Sequence, residues 1–435
     1  MNIQKKQAFY AHFMILFIRP LCYTVFTNII AGEYLPMIVP FLFELETAGE
    51  YDHLVVMYKY LNMTKKYGWP IIAHERYFNS LAFFEKIGVN QAWFDTMCDK
   101  FGFERPTQDD LDDIPKYIIS EEFEQSIINH FPSKLDAWIY LLQNRFEPLE
   151  IYLEQMINQI VADFNEPIEA FICYCSNASL KYIAAKKGIP IIHNESGPFR
   201  LPVYRQKVGY FDFCDVYDCG ESEERYQAFL RDTQQKKVPI LSRKEILRIF
   251  MTDEYAKEIP LVDTEPSFDI GLSINTFNMG LILRHTHMTD VELDWLARKN
   301  FPVDRILRRV HPGHPYTALN INDDSPSSFH FICKCKRIAA VMSSLLFEAM
   351  LIGRIPYAYG NSPFSFMSNH GIGDPNDKLV PLEFVNFATF AYLVPWEFIS
   401  DSEYIRYRLS RPSETDIYMK HYDYYVKRYN EQSLL

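Results

Sequence analysis

From about residue 50 onward, short apolar runs rich in β-branched and aromatic residues alternate with longer segments of helical pattern. This alternation predicts a parallel α/β fold, because each buried parallel strand needs a crossover helix before the next strand begins. In the first half of the chain we predict a helix at 179–187, which begins after the cap candidate Asn177 and ends at Gly188. The strands predicted in this half are 53–58, 70–74, 170–174, 189–193 and 211–217.

A charged and mostly helical segment, 221–266, separates this pattern from a second one of the same kind. The strands predicted after it are 268–275, 304–311, 337–342 and 355–359, and the helices are 290–300 and 345–352. Because 435 residues exceed one ordinary domain, we predict two α/β domains in tandem, 1–245 and 246–400, with a ligand crevice at the carboxyl ends of their strands. Residues 401–435 form a predicted helical segment that either returns to the first domain or docks on a membrane.

The charge balance limits the partners of the chain. It carries 44 basic and 56 acidic side chains, which gives a formal net charge of −12. This excess of negative charge argues against general affinity for nucleic acid or for an anionic membrane surface. An anionic ligand must therefore be held by a local cluster of cations and N–H groups.

The N-terminal segment contains an apolar stretch, 8–18, that follows Lys5 and Lys6. His12 interrupts this stretch and Arg19 ends it, so it is shorter than a membrane-spanning helix, and no small-residue cleavage site follows. We therefore predict no signal peptide and no membrane anchor. The expected location is the cytoplasm, with peripheral contact at the inner face of the membrane as an option.

Several familiar motifs are absent from the sequence. It contains no G-x-G-x-x-G after the first strand, no P-loop, no H-E-x-x-H and no G-x-S-x-G. Its eight cysteines also lack the paired C-x-x-C spacing of a zinc site. Dinucleotide binding, P-loop chemistry, zincin chemistry and serine-hydrolase chemistry are therefore not supported, and we predict neither a metal nor a cofactor.

The first of three polar groups at predicted strand ends is Arg308-Arg309-Val310-His311-Pro312-Gly313-His314-Pro315. Side chains alternate across a strand, so at most one of Arg308 and Arg309 faces a ligand. A histidine such as His311 can donate a hydrogen bond to a phosphate. The alternative is a Pro-Gly turn with solvated histidines.

The second group follows the predicted strand 337–342. Ser343 and Ser344 precede the predicted helix 345–352, and Glu348 lies one turn into that helix. The free N–H groups of a helix N-terminus and two adjacent hydroxyls form a phosphate-binding site, and Glu348 is within reach of ribose hydroxyls. In the alternative interpretation a serine is only the N-cap, and Glu348 only interacts with the helix dipole.

The third group, His193 to Arg200, follows the predicted strand 189–193 directly. A carboxylate at a strand end is placed to work in the interdomain cleft. Glu195 can take a proton from an acceptor hydroxyl as a general base, and His193 or Arg200 can tune its charge. Arg200 and Asn194 are predicted contacts for the acceptor or for an anionic group. Ordinary turn chemistry is the alternative.

Two of these groups resemble motifs of a known enzyme class. The pair His311-Pro312 and the pair Ser343-Ser344 resemble the HP and SS motifs of bacterial sialyltransferases. The longer string 343–364, which ends Tyr-Gly-Asn-Ser-Pro-Phe, is most similar to capsule-polysaccharide transferases that use CMP-Kdo. These are GT-B glycosyltransferases, so the resemblance implies two Rossmann-like domains that face a central cleft. It extends over about residues 165–365.

The resemblance implies specific roles in the binding of a nucleotide-sugar. His311, or alternatively His314, contacts the donor phosphate beside Ser343 and Ser344. Glu348 lies near the ribose.

Three further roles follow in the same way. Arg309 and Gly360 belong to the nucleotide-sugar site, and Glu195 matches the acidic residue that acts as the catalytic base. In this sequence Ser196 stands between Glu195 and the glycine, and Asn194 replaces a second acidic residue.

A CMP-sugar carries one phosphate, so its departure needs hydroxyls, a histidine and a helix end but no Mg²⁺. The predicted activity is metal-independent transfer of a keto-acid sugar, Kdo-like or sialic-acid-like, onto a glycan or lipid-linked glycan in bacterial surface polysaccharide synthesis. In that scheme the domain over 1–245 is the acceptor side and the domain over 246–400 binds the nucleotide-sugar. The alternatives are a UDP-sugar 2-epimerase and a non-catalytic glycan-binding or assembly subunit.

Overall fold

The computed structural model describes residues 37–45, 50–78, 102–174, 176–216, 220–274, 286, 288–310, 319–374 and 376–432, and for residues 50–55 it describes the backbone alone. Within these ranges the chain forms eleven strands and fifteen helices. The strands are β1 (Met37–Leu42), β2 (Ile71–His74), β3 (Lys116–Ile119), β4 (Ile168–Cys173), β5 (Ile191–Ser196), β6 (Val208–Asp212), β7 (Ile270–Ile274), β8 (Ile306–Val310), β9 (Arg337–Ala340), β10 (Ile355–Ala358) and β11 (Leu393–Pro395). The helices are α1 (Glu50–Tyr67), α2 (Gln108–Asp113), α3 (Glu121–Ile128), α4 (Lys134–Gln143), α5 (Glu147–Phe164), α6 (Ala178–Lys187), α7 (Ser222–Gln235), α8 (Arg243–Phe250), α9 (Asp253–Ala256), α10 (Asp290–Asn300), α11 (Ser328–Lys334), α12 (Leu345–Ile352), α13 (Leu382–Phe387), α14 (Ser402–Leu409) and α15 (Glu414–Gln432).

The strands form two sheets. The first has seven strands in the order β11-β6-β5-β4-β1-β2-β3, and the second has four in the order β10-β9-β7-β8. All pairs of the second sheet are parallel, and so are the pairs from β5 to β3 in the first sheet. Strand β6 runs antiparallel to β5, and β11 runs antiparallel to β6. The predicted α/β class is therefore confirmed.

Apolar burial explains why the central strands read as continuous hydrophobic runs. Every residue of β1 is buried, and so is every residue of β7. Parallel strands covered by helices on both faces exclude polar side chains from either face. Because the carboxyl ends of parallel strands lie at one edge of a sheet, residues that follow β4, β5 and β9 are available for a site.

Most of the predicted elements are present. Helix α6 begins after Asn177, whose side chain accepts a hydrogen bond from the Leu180 amide at 2.9 Å, and ends at Gly188 with φ of +69°. Glycine adopts this left-handed conformation without a Cβ clash. Helices α10 and α12 have the predicted bounds, and the capping box of α10 is formed by Thr289 and Glu292.

The strand predicted over 53–58 is wrong. Residues Glu50–Tyr67 form helix α1, and its buried side chains include Met57, Tyr60, Leu61 and Thr64. Their spacing is helical, and a run of six residues is too short to reveal that period by itself. The strand predicted over 211–217 starts earlier than expected, because β6 covers Val208–Asp212.

The chain returns to the first sheet after completing the second. Strand β11 pairs with β6 at the edge of the first sheet, and Tyr404 and Ile405 of α14 pack in its hydrophobic core beside Phe211. Tyr418 and Tyr425 of α15 are fully buried in the core cluster that also contains residues of α12. The aromatic face of this C-terminal segment is thus used inside the protein, while the domain bounds 1–245, 246–400 and 401–435 stay a prediction.

Aromatic rings connect the two sheets. Phe199, in the loop after β5, lies 5.8 Å from the ring of Phe347 in α12, and Phe347 stacks on Phe364 at 4.8 Å. All three rings are buried. This packing fixes the loop after β5 against the helix that follows β9. In the described part of the chain, none of the helices combines the length and the apolar character that crossing a bilayer requires.

Candidate functional site

The carboxyl end of β5 carries the predicted general base. Glu195 lies opposite Tyr210 of β6, and its Oε1 accepts a hydrogen bond from the Ser196 amide at 2.9 Å. The next residue, Gly197, passes so close to Val208 that a Cβ there would lie 2.6 Å from its side chain. The glycine therefore permits the tight approach of this loop to β6.

His193 lies two residues before Glu195 on the same face of β5. Its side chain is buried at 1% exposure, between charged groups that include Asp215, Lys181 and Asp212. Burial lowers the pKa of His193 to about 4, and the two aspartates only partly oppose this effect. The imidazole is consequently neutral near pH 7 and enclosed by protein.

Asn194 points to the opposite face of the strand. Its Oδ1 accepts a hydrogen bond from Lys59 Nζ at 2.9 Å and lies 3.5 Å from the Tyr60 hydroxyl. Asn194 and Lys59 are both buried. The side-chain amide of Asn194 therefore faces helix α1 and binds Lys59. No sequence pattern pointed to this lysine.

Arg200 is exposed and is positioned by the backbone of its own loop. Its Nε donates to the Gly197 carbonyl at 3.1 Å, and its Nη2 donates to the Ser196 carbonyl at 3.4 Å. The positive charge of Arg200 acts on Glu348 in α12. Arg200 thereby couples the loop after β5 to the second sheet.

The start of α12 presents hydroxyl groups. Ser343 Oγ accepts a hydrogen bond from the Leu345 amide at 3.2 Å and lies 3.5 Å from the hydroxyl of Ser273 at the end of β7. Ser344 occupies the N-cap position, but its side chain makes no capping hydrogen bond. The sequence around Ser273 contains no motif. Its position near Ser343 follows from the pairing of β7 with β9, which a local sequence pattern does not indicate.

Glu348 is a buried carboxyl group at 6% exposure. Burial raises its pKa to about 7, and the hydroxyls of Ser328 and Tyr204 and the charges of Arg200 and Arg309 oppose the shift. Ser328 Oγ donates to Glu348 Oε2 at 2.9 Å. The group is therefore close to half-protonated at neutral pH, so a nearby charge or hydrogen-bond donor can change its ionisation.

The two arginines of β8 point to different environments, as their alternation predicts. Arg308 is buried and its Nε lies 2.5 Å from Asp294 Oδ1. Arg309 contacts Asp323 Oδ2 at 2.5 Å and the Ser325 carbonyl at 3.0 Å through Nη1. Arg309 is the member of the pair whose charge reaches Glu348.

The structure leaves part of the predicted phosphate contact undescribed. His311, Pro312 and His314 lie outside the described residues. Gly360 is buried and forms an isolated backbone bridge with Thr286.

Tyr210 marks the place where the predicted groups converge. The negative charges of Glu195 and Glu348 and the positive charge of Arg200 all act on its hydroxyl. Burial is the main cause that raises the pKa of Tyr210 far above its usual value, so the phenol stays protonated. The structure thus brings the end of β5 and helix α12 into one electrostatic region.

A separate polar cluster lies at the carboxyl end of β2 and was not predicted. Glu124 of α3 is buried between His74, Arg76 and Lys134, with His74 Nε2 at 2.7 Å and Lys134 Nζ at 3.1 Å from its carboxylate oxygens. Burial alone would raise the pKa of Glu124, but the hydrogen bond from His74 and the neighbouring positive charges lower it to about 2. His74 Nδ1 accepts from the Arg76 backbone and side chain, so this ring nitrogen carries no proton. The cluster is internally paired.

Metal-binding groups are not assembled in the part of the chain that the structure describes, where no three His, Cys, Asp or Glu side chains are grouped to hold an ion.

Solved structures similar to this chain are distant. A β-Kdo 2,7 transferase, KpsC of Thermosulfurimonas dismutans, shares 17% identity over 58% of this chain and 90% of its own, with a TM-score of 0.39. A β-Kdo 2,4 transferase KpsC of the same organism shares 14% identity over 52% of this chain and 81% of its own, with a TM-score of 0.32. A UDP-GlcNAc 2-epimerase of Neisseria meningitidis shares 12% identity over 90% of this chain and 94% of its own, with a TM-score of 0.26. At TM-scores below 0.5 these likenesses do not define an activity.

One family comparison is more direct. Residues 40–221 match the model of the Glycosyltransferase 99 family N-terminal domain. No curated protein matches the chain. The matched stretch contains the second half of β1 and all of β2 to β6, and it includes Lys59, His193, Asn194, Glu195 and Arg200. The match over this stretch, less than half of the chain, supports a glycosyltransferase.

Proposed function

We propose that this protein is a glycosyltransferase that moves a sugar from a nucleotide-sugar donor onto a glycan acceptor. The observation that carries the proposal is the convergence at Tyr210 of β6, on whose buried hydroxyl the charges of Glu195, Arg200 and Glu348 all act. Glu195 lies at the end of β5, Arg200 in the loop after it, and Glu348 in helix α12 beside the second sheet. The glycosyltransferase family match over residues 40–221 supports the same activity. A transferase needs such a meeting point because donor and acceptor must react at one place.

The donor phosphate binds at the start of α12. Ser344 has no capping hydrogen bond of its own, and the hydroxyls of Ser343 and Ser273 lie 3.5 Å apart beside it. A helix N-terminus attracts negative charge through its dipole, and serine hydroxyls beside it can donate to a phosphate. His311 or His314 and Arg309 complete the contacts to the nucleotide-sugar, and Glu348 binds the ribose.

The acceptor hydroxyl reacts at the end of β5. Glu195 takes the proton of the hydroxyl, the acceptor oxygen bonds to the anomeric carbon, and the bond from that carbon to the phosphate oxygen breaks. The electron pair of the broken bond stays on the nucleotide phosphate, where the serine hydroxyls and the dipole of α12 stabilise the added charge. Arg200, which is exposed and near Glu348, contacts the acceptor or the acidic group of the donor.

The donor sugar is a CMP-activated keto-acid sugar, Kdo-like or sialic-acid-like. The His311-Pro312 and Ser343-Ser344 pairs support this choice through their resemblance to HP and SS motifs. A nucleoside monophosphate leaving group needs no metal clamp, so the reaction is metal-independent. The acceptor is a glycan or a lipid-linked glycan of capsule synthesis, which the protein meets in the cytoplasm at the inner face of the membrane.

The first test is a thermal-shift comparison of CMP, CDP, UDP and GDP. A ligand at 100 times its Kd stabilises a protein by about 2.7 kcal/mol, which moves Tm visibly. We expect selective stabilisation by CMP that Ser344→Ala and His311→Ala weaken. The exposed Ser410→Ala serves as the control, because it lies far along the chain from α12 and should respond as the wild type does.

The outcomes separate the alternatives. Stabilisation by UDP alone, with sugar conversion in the absence of an acceptor, contradicts the CMP-sugar proposal and indicates a UDP-sugar 2-epimerase. If none of the four nucleotides raises Tm, and the Glu195→Ala variant still binds glycan, the protein is a non-catalytic subunit. A transfer assay with CMP-Kdo and CMP-sialic acid then identifies the sugar.

A further inference from the structure

Lys59 is an unusual lysine, because it lies in helix α1 with only 4% of its surface exposed. Two other lysines of the same helix, Lys65 and Lys66, are exposed. Among the described residues, no carboxylate oxygen lies within 4.0 Å of Lys59 Nζ. A buried ammonium group without an adjacent counter-charge is costly, so its retention calls for a functional reason.

Two contacts of Lys59 lead from helix α1 to the first sheet, at the predicted acceptor side. Its Nζ donates to Asn194 Oδ1 at 2.9 Å, and Asn194 directly precedes Glu195 in β5. The same Nζ lies 5.2 Å from the ring centre of Trp396, which follows β11, and 6.0 Å from the ring centre of Tyr60. Lys59 thereby joins helix α1 to two strands of the first sheet.

Electrostatics connects the same lysine to the proposed base. Burial lowers the pKa of Lys59 to about 7, and the negative charge of Glu195 opposes that shift. Within the described part of the chain, Glu195 is the charged group whose field raises the pKa of Lys59. An interaction between two charges is reciprocal, so a protonated Lys59 favours the ionised form of Glu195.

We propose that Lys59 is a positioning residue for Glu195. It holds the end of β5 through Asn194, and its positive charge stabilises the carboxylate that accepts the proton of the acceptor hydroxyl. The proposal rests on the proposed function, in which Glu195 is the base. Lys59 itself does not touch the substrate, because Asn194 and Trp396 enclose its ammonium group.

The activity test compares Lys59→Met with Lys66→Met, the same change at an exposed site of the same helix. For Lys59→Met we expect kcat to fall about tenfold to a hundredfold with an unchanged KM for the donor. A displaced Glu195 slows the chemical step, but it does not take part in binding the donor. The acidic limb of the pH–kcat profile moves to higher pH, because Glu195 loses a neighbouring positive charge. Lys59→Arg restores the position of that limb. An unshifted limb in a folded Lys59→Met variant overturns the proposal.

A second measurement does not depend on activity. With lysines labelled with ¹³C at Cε, the NMR signal of Lys59 is assigned by its absence in Lys59→Met and followed through a pH titration. We expect it to titrate near pH 7 in the wild-type protein and at lower pH in Glu195→Gln, while the Lys66 signal is the same in both.

The two measurements distinguish the failures. If Lys59 titrates identically in the wild type and in Glu195→Gln, the two residues are not coupled and the positioning role is wrong, whatever the enzyme does. If the coupling is present but no sugar donor supports transfer, the proposed function fails instead.

Discussion

Two strand–helix junctions, one in each sheet, begin their helices in different ways. After β4, the Asn177 side chain accepts a hydrogen bond from the Leu180 amide, so the start of α6 is closed by the protein itself. After β9, Ser344 has the N-cap position of α12 with φ of −62° but its side chain makes no capping hydrogen bond, and the Leu345 amide donates to Ser343 Oγ at 3.2 Å instead. We call the first junction closed and the second open, according to whether the N-cap side chain is used. An N-cap side chain that accepts from the helix serves stability, whereas one that makes no cap keeps its hydroxyl for a ligand.

A helix beside each sheet also buries a charged side chain, and the two charges are opposite. Lys59 lies in α1 and Glu348 in α12, and burial lowers the pKa of the lysine and raises that of the carboxyl group, each to about 7. Lys59 donates to an amide oxygen, and Glu348 accepts from the Ser328 hydroxyl. The two buried charges predict opposite pH dependences of stability, and the two helix junctions predict different responses to substitution.

The largest effect is expected at Lys59. Its pKa is about 7 in the folded protein, where it is buried, and 10.5 in the unfolded chain, where water surrounds it. Between pH 7 and pH 10.5 the unfolded chain therefore binds more protons than the folded protein, and stability rises with pH. Relative to Lys59→Met, the free energy of unfolding of the wild type should increase by about 3 kcal/mol between pH 7 and 9.5. Urea unfolding of both proteins at several pH values measures this difference. A parallel pH dependence of the two would show that the ammonium is solvated.

Glu348 should give the opposite sign. Its folded pKa of about 7 exceeds the ordinary 4.5, so the folded state binds more protons between these values and stability falls as pH rises. Glu348→Gln should therefore gain about 2.5 kcal/mol over the wild type when the pH is raised from 5 to 8. The control is Glu223→Gln, an exposed glutamate of α7, whose difference from the wild type should not change. A constant difference for Glu348→Gln contradicts the assignment.

The open junction should respond in ligand affinity. Ser344→Ala should weaken nucleotide binding about tenfold, which is about 1.4 kcal/mol, because one hydroxyl contact to phosphate is lost. Its free energy of unfolding should stay within a few tenths of a kcal/mol of the wild type, since the side chain makes no cap. Calorimetric titration with the nucleotide and urea unfolding measure the two quantities. A stability loss with unchanged affinity would make Ser344 an ordinary cap.

The closed junction should respond in stability alone. Asn177→Ala should lower the free energy of unfolding by about 1 kcal/mol, because the Leu180 amide loses its partner in a buried position. Nucleotide affinity should not change. Asn177→Asp, which keeps the capping oxygen, should recover most of the stability, and equal losses in both variants would contradict the capping argument.

Sequence patterns predicted the elements whose ends carry local signals. Helix α6 has Asn177 before it and Gly188 after it, and α10 has a capping box, so their bounds follow from residues within a few positions. The run 53–58 has no such signal, and it proved to be part of α1. Strand β1 was not predicted. It lies before residue 50, where the recognisable alternation of strands and helices begins, and a short apolar run by itself does not identify a strand.

The positions of the candidate residues along the fold could be predicted, but their partners could not, and their roles stay a prediction. Glu195 lies near the end of β5, Arg200 follows that strand, and Glu348 lies one turn into α12. Their environment depends on contacts between distant positions, such as the 135 residues that separate Lys59 from Asn194. Nothing in a local pattern indicates that Lys59 is buried or that Ser328 donates to Glu348, because both follow from the packing of whole sheets.

The late return of the chain to the first sheet has a consequence for its synthesis. Strand β6 ends at Asp212, but its neighbour β11 begins only at Leu393, after all four strands of the second sheet. A ribosome that has made the first six strands therefore leaves β6 as an open edge until about 180 more residues have emerged, and such an edge pairs readily with other chains. The nascent protein needs protection along this strand for most of the time that the second half takes to be translated.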